Sequence, residues 1–262
     1  MRLFAVSDLH VDYESNAAWI NALSRQDYRD DVLIVAGDLS HQQARLLSAL
    51  SALADRFHAV LFVPGNHDLW VHSRETVSSL ERYDQLATAV EQLGVHTTPF
   101  THRGVTIVPL LSWYDFSFGE PGPKLRKAWM DFRRCRWPQD WDSAAISDHF
   151  LSLNPHPDSL QPTVDERAFV TFSHFMPRAD LLPHPAVMHA GYLLPILGSW
   201  ALDRQLRSYD RHATGQHHHV YGHSHVNVDR TINGVRYVNN ARGYPTEYRY
   251  SERHLHQIKL PI

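Results

Sequence analysis

Cysteine is almost absent from this chain. Cys135 stands alone, so no disulfide can form within it, which fits a reducing compartment. Long apolar runs are missing too. None approaches the ~20 residues of a membrane-spanning helix, and the nearest candidate, Gly191 to Leu202, is broken by Pro195 and Gly198. Neither charge dominates: 25 Lys and Arg against 28 Asp and Glu give a net charge of −3 with histidine neutral. Without a basic stripe, long nucleic acid is not expected as a partner. An apolar leader is not expected either, because the first strand-like run begins almost at Met1 and leads straight into Asp8. No internal repeat or low-complexity linker is visible. Together these absences point to a cytoplasmic protein with no membrane partner.

What is present is a chain of 262 residues, 43% of them hydrophobic. That is enough for one large α/β domain and too little for two comfortable ones. Arg2 to Val6, Val32 to Ala36 and Ala59 to Val63 are short apolar runs of the kind buried on both faces of a sheet. Helical patterns lie between them, one carrying Ala17, Ala18, Ile20 and Leu23, the other Leu46, Leu47, Leu50 and Leu53. A third helix is predicted from Thr76 to Leu93, stopped by Gly94. This alternation predicts parallel strands. Further strands are expected at Val105 to Leu110, Ala168 to Phe172, His219 to Tyr221, Val235 to Val238 and Leu255 to Leu260, with an Asn233-Gly234 hairpin turn. They form a second, partly antiparallel sheet packed on the first. We read residues 1–262 as a single domain with irregular insertions near 112–161 and 176–216.

Five of these runs end in groups that bind metals. Asp8-Leu9-His10, Gly37-Asp38, Gly65-Asn66-His67-Asp68, His174 and Gly222-His223-Ser224-His225 each follow an apolar run. Any one alone has an ordinary explanation as a turn or a hydrogen-bonded side chain. Five in order build a shared site at the carboxyl edge of an α/β sheet. Asp8, His10, Asp38, Asn66, His174, His223 and His225 supply seven side-chain ligands. One zinc ion takes about four, whereas two divalent ions ~3.5–4 Å apart use all seven. Imidazole with carboxylate and amide oxygen admits iron, manganese or zinc without choosing among them.

These motifs resemble the full pattern of the calcineurin-like metallophosphoesterase superfamily, and they span most of the chain, from Asp8 to His225. The resemblance implies a four-layer α/β/β/α sandwich of two mixed sheets flanked by helices. It implies that Asp8, His10, Asp38 and His225 hold one ion, and that Asp38, Asn66, His174 and His223 hold the other. It gives His67 the part of general acid and Asp68 that of orienting the His67 imidazole. The implied activity is hydrolysis of phosphate esters by in-line attack of a metal-bridging hydroxide. We expect a small phosphodiester or nucleotide-like substrate. A phosphomonoesterase, a protein phosphatase and a non-enzymatic scaffold remain as alternatives.

The surroundings are less explicit. Ser112 to Phe118 follows a strand, and Trp113 and Tyr114 are candidate substrate contacts at the mouth of the site, with packing as the competing reading. Arg242 follows another strand and is a candidate for substrate phosphate. Trp129, Trp137 and Trp141 lie among Arg126, Lys127, Arg133, Arg134 and Arg136, a pattern that also describes a solvated helix face.

Overall fold

The computed structural model describes residues 1–160, 167–182, 191–210, 217–247 and 254–260. Strands β1 (Leu3–Val6), β2 (Val32–Ala36) and β3 (Ala59–Val63) run parallel, and every residue in them is buried. Helices α1 (Glu14–Ala22) and α2 (Gln43–Ala54) make the crossovers. Helix α3 (Ser79–Gln92) follows β3 and starts later than the apolar pattern proposes. Ser78 and Glu81 close a reciprocal capping box there, satisfying two backbone amides that an earlier start would leave open. Gly94, at φ +72°, ends the helix as predicted.

A short strand β4 (Phe100–His102), not visible in the sequence pattern, pairs antiparallel with β5 (Val105–Pro109). The first insertion, expected to be irregular, contains helices α4 (Pro123–Ala128), α5 (Asp131–Arg134) and α6 (Ser143–Ser152). Between β6 (Ala168–Phe172) and β7 (His217–Tyr221) the second insertion contributes helix α7 (Trp200–Ser208). Its stretches 183–190 and 211–216, and residue 161 of the first insertion, lie outside the described residues. Strands β8 (Val228–Ile232) and β9 (Val235–Asn239) form the expected hairpin, with Asn233 and Gly234 both at positive φ. Strand β10 (His256–Ile258) returns antiparallel to β1.

The strand orders are β10-β1-β2-β3 in one sheet and β4-β5-β6-β7-β9-β8 in the other. Both are mixed, and three buried clusters fill the spaces of a four-layer sandwich. Phe4, Val6, Leu33 and Val35 meet Ile20, Leu46, Leu50, Leu86 and Val90 under α1–α3. Leu3, Ile34 and Leu61 meet Ile107, Val170 and Val220 between the sheets. Phe169, Tyr221 and Tyr237 meet Phe150, Leu202 and Leu206 on the far side. Alternation along each strand assigns successive residues to opposite layers. Among the described residues no helix is long and apolar enough to cross a membrane.

Candidate metal centre

Because β1, β2 and β3 are parallel, and β5, β6, β7 and β9 are parallel, their carboxyl ends gather at one edge of each sheet. The two edges are tied together. Within the six-stranded sheet's edge the Gly222 amide donates to the His174 carbonyl at 2.9 Å. The His223 amide donates to the Asp8 carboxylate at 3.1 Å, joining the two sheets directly. His174 Nδ1 lies 2.9 Å from the Ala36 carbonyl. Gly37 and Gly65 permit this closeness. At φ +80°, a Cβ on Gly37 would overlap the His174 ring, and one on Gly65 would overlap Asp38 Oδ1.

Eight non-glycine residues among those described have positive φ, and five are Asp8 (53°), His10 (40°), Asp38 (56°), His223 (67°) and His225 (52°). Left-handed backbone costs roughly 1–2 kcal/mol per residue. Such strain concentrated in one site marks it as functional.

All seven expected ligands converge there. Asp8, His10 and His225 form one trio of potential ligand atoms, and Asp38, His174 and His223 form another. His10 Nε2 and His225 Nε2 are 3.2 Å apart, and His225 Nε2 is 3.3 Å from Asp8 Oδ1. His174 Nε2 lies 3.1 Å from His223 Nδ1, 3.2 Å from Asn66 Oδ1 and 3.5 Å from Asp38 Oδ1. The opposite nitrogens are anchored: His174 Nδ1 on Ala36 O, His223 Nε2 on Ile196 O at 3.0 Å, and His225 Nδ1 on Glu247 Oε2 at 2.7 Å. An anchored N–H leaves the lone pair of the other nitrogen facing inward, as a metal ligand requires. These residues therefore fit divalent cations.

The electrostatics agree. Burial, then the carboxylates of Asp68 and Asp8, push the Asp38 carboxyl well above the usual range. Burial and His225 push His10 down to about 3. His225 goes the other way, held up at about 10 against burial by the Asp8 and Glu247 carboxylates, so the cage gathers positive charge beside its carboxylates, as a bound cation would supply.

His67 forms a third trio with His10 and Asp38, its Nε2 lying 3.9 Å from Asp38 Oδ2. Its ring stacks on Trp70 with centroids 3.8 Å apart. Burial, then His10 and His225, hold the His67 imidazole well below its ordinary pKa. Asp68 does not pair with it. Its two oxygens accept from the backbone amides of Asp38, Leu39, Ser40 and Gly65 at 2.8–3.0 Å. With both oxygens committed, Asp68 clamps the loops after β2 and β3, which corrects the expected role.

Two of the substrate contacts proposed from sequence are enclosed. Trp113 and Tyr114 are 1% and 2% exposed and belong to the outer core, packing on Phe175. They are packing residues: Trp113 meets Trp137, Phe150 and Phe175, and Tyr114 meets Phe116 and Phe175. The Arg242 side chain lies over Trp19 at 4.7 Å and reaches Asn16 Oδ1 at 3.4 Å.

Four residues at the site escape sequence reasoning. Trp70 lies three residues after His67, one helical turn on, which is a legible signal. Tyr244 stacks on His10 at 4.5 Å, and Glu247 supports His225 from beyond β9. Asp131 accepts from the Asn66 side chain at 2.8 Å. No sequence spacing links Asp131 to the motifs.

A two-sheet α/β sandwich with this edge is a phosphoesterase fold, and the chain belongs to the calcineurin-like phosphoesterase family, whose profile matches residues 1–227. It is a metal-dependent hydrolase of phosphate esters. Among relatives, it is similar to the acyl-carrier-protein phosphodiesterase PptH of Mycobacterium tuberculosis, 31% identical over 94% of this chain and 79% of that protein. The crystal structure of phosphopantetheinyl hydrolase (PptH) from the same organism superposes with a TM-score of 0.78 at 27% identity, covering 98% of this chain and 95% of that one.

Proposed function

We propose that this protein is a dinuclear phosphodiesterase that releases a phosphopantetheinyl group from a carrier protein. The observation that carries the reading is the convergent ligand cage, in a chain similar over nearly its whole length to a protein named for that reaction. The proposal revises the expectation of a free small diester: one side of the scissile bond is small, and the other is a protein. Residues 1–262 act as one domain.

Asp8, His10, Asp38 and His225 would hold one divalent ion, and Asp38, Asn66, His174 and His223 the other. When bound, the ions neutralise phosphoryl oxygens and acidify water at the site. Manganese, iron and zinc all suit the donor set. Asp38 would contribute to both positions. His67 stands beside Asp38 with its ring held flat by Trp70, and it protonates the departing oxygen. Its low pKa leaves it neutral in the free protein, and an anionic phosphoryl group arriving alongside raises it.

The test is incubation of the metal-loaded protein with a holo carrier protein, read by intact mass. Loss of the phosphopantetheinyl mass is expected. An unchanged carrier under conditions where a generic aryl phosphodiester is hydrolysed would overturn the substrate while leaving the enzyme class intact.

A further inference from the structure

Asp131 sits at the start of α5, in the first insertion, and is 2% exposed. Its Oδ1 accepts from Asn66 Nδ2 at 2.8 Å and from Trp70 Nε1 at 2.7 Å. Its Oδ2 accepts from Trp129 Nε1 at 2.7 Å. An indole N–H can only donate. The two tryptophans therefore require both Asp131 oxygens to be acceptors, and Asn66 must present its NH2 to Oδ1. That leaves the Asn66 Oδ1 facing His174 Nε2 at 3.2 Å, the direction a metal ligand needs. The orientation of a side-chain amide, which atomic positions alone seldom settle, is here dictated by donor-only neighbours. The same oxygen anchors the Trp70 ring that stacks on His67.

We propose that Asp131 is a positioning residue that sets both the amide orientation of Asn66 and the plane of His67, so that one carboxylate from the insertion aligns the metal position and the proton donor. The inference rests on the two-ion reading above. It joins the insertion to the chemistry through polarity, since packing alone would not care which end of the Asn66 amide faced inward.

Polarity supplies the test. In Asp131→Asn one oxygen becomes an N–H2 donor, and each orientation of the new amide sets a donor against an indole. With its oxygen toward Asn66 and Trp70, it opposes Trp129. With its NH2 toward them, it opposes Trp70 and turns the Asn66 oxygen away from the cage. Adding Trp129→Phe relieves the first orientation, whereas adding Trp70→Phe relieves the second.

Metal-stripped proteins, checked for folding by circular dichroism, are titrated with Mn2+ or Zn2+. The wild type binds two ions. D131N binds one of them about 10–100-fold more weakly, as loss of an outer-shell partner does. D131N/W129F recovers at least tenfold, and D131N/W70F is weaker than D131N. Two Trp→Phe changes, each at a ring that touches one histidine of the site, should thus act in opposite directions. Wild-type affinity in D131N, or two double variants that bind alike, would overturn the proposal.

Failure of the wild type to bind a second ion would instead overturn the two-ion reading. The single variant W70F keeps the carboxylate and the Asn66 bond, so it tests the second arm even if D131N does not fold. It should bind both ions normally, with kcat about tenfold lower and KM unchanged; unaltered kcat overturns that arm.

Discussion

Glu247 offers a quantitative test of how the cage is held. Its Oε2 lies 2.7 Å from His225 Nδ1 and also accepts the Tyr244 amide at 2.7 Å. The residue lies beyond the 1–227 stretch matched by the family profile. Glu247→Gln can keep an oxygen acceptor for both donors while losing the charge. A hydrogen bond to a charged group contributes about 1.5–3 kcal/mol and a neutral one about 0.5–1.5. The difference, about 1 kcal/mol, corresponds to roughly fivefold in affinity. Glu247→Ala loses the whole interaction, about 2 kcal/mol or ~30-fold. The side chain is 34% exposed, so solvent screening places both effects toward the lower end. Competition of the stripped protein with a chromophoric chelator for zinc should rank wild type, E247Q and E247A in that order. Saturating metal should restore turnover in all three, because Glu247 acts on the ligand and not on the ester. Wild-type zinc affinity in E247A, or a turnover defect that saturating metal cannot restore, would refute the reasoning.

His67→Ala should retain metal while turnover on a poor leaving group falls ~10²–10⁴-fold; an activated aryl leaving group should shrink the defect, and loss of metal would make His67 a ligand. Tyr114→Ala should lower stability by about 3–5 kcal/mol, as large core truncations do, without changing the ratio of diester to monoester turnover; a changed ratio at saturating stability would return Tyr114 to the substrate site. His218 is fully buried with neither ring nitrogen bonded, and burial, then Arg236 and His217, push it down to about 4. The unfolded chain takes up that proton near pH ~6.5 while the folded chain resists until about 4, so stability falls across this window as pH drops, by up to about 3 kcal/mol. His218→Leu should flatten the melting temperature between pH 7.5 and 4.5; an unchanged slope would show that other groups drive the acid loss.

The sequence by itself determined the frame. Apolar runs such as Val32–Ala36 and Ala59–Val63 are buried on both faces, so composition alone locates them, and the Asn233-Gly234 turn needs only its two residue types. The motif residues were legible for a related reason: each is bound to the end of a strand, and parallel strands deliver their ends to one edge. Gly37 and Gly65 mark where backbones approach too closely for a Cβ. Helices α4 and α5, six and four residues long, escaped, being too brief for a 3.6-residue period to show. Tertiary structure alone decided what each side chain finally met. Asp68 lies next to His67 in the chain, yet four backbone amides from two loops claim its oxygens. Trp113 and Tyr114 look like a binding surface in sequence, but α6 and Phe175 bury them. Asp131 reaches Asn66 across 65 positions, and Glu247 reaches His225 across 22. Hydrogen-bond partners are fixed by distance and direction in space, and separation along the chain carries no information about either.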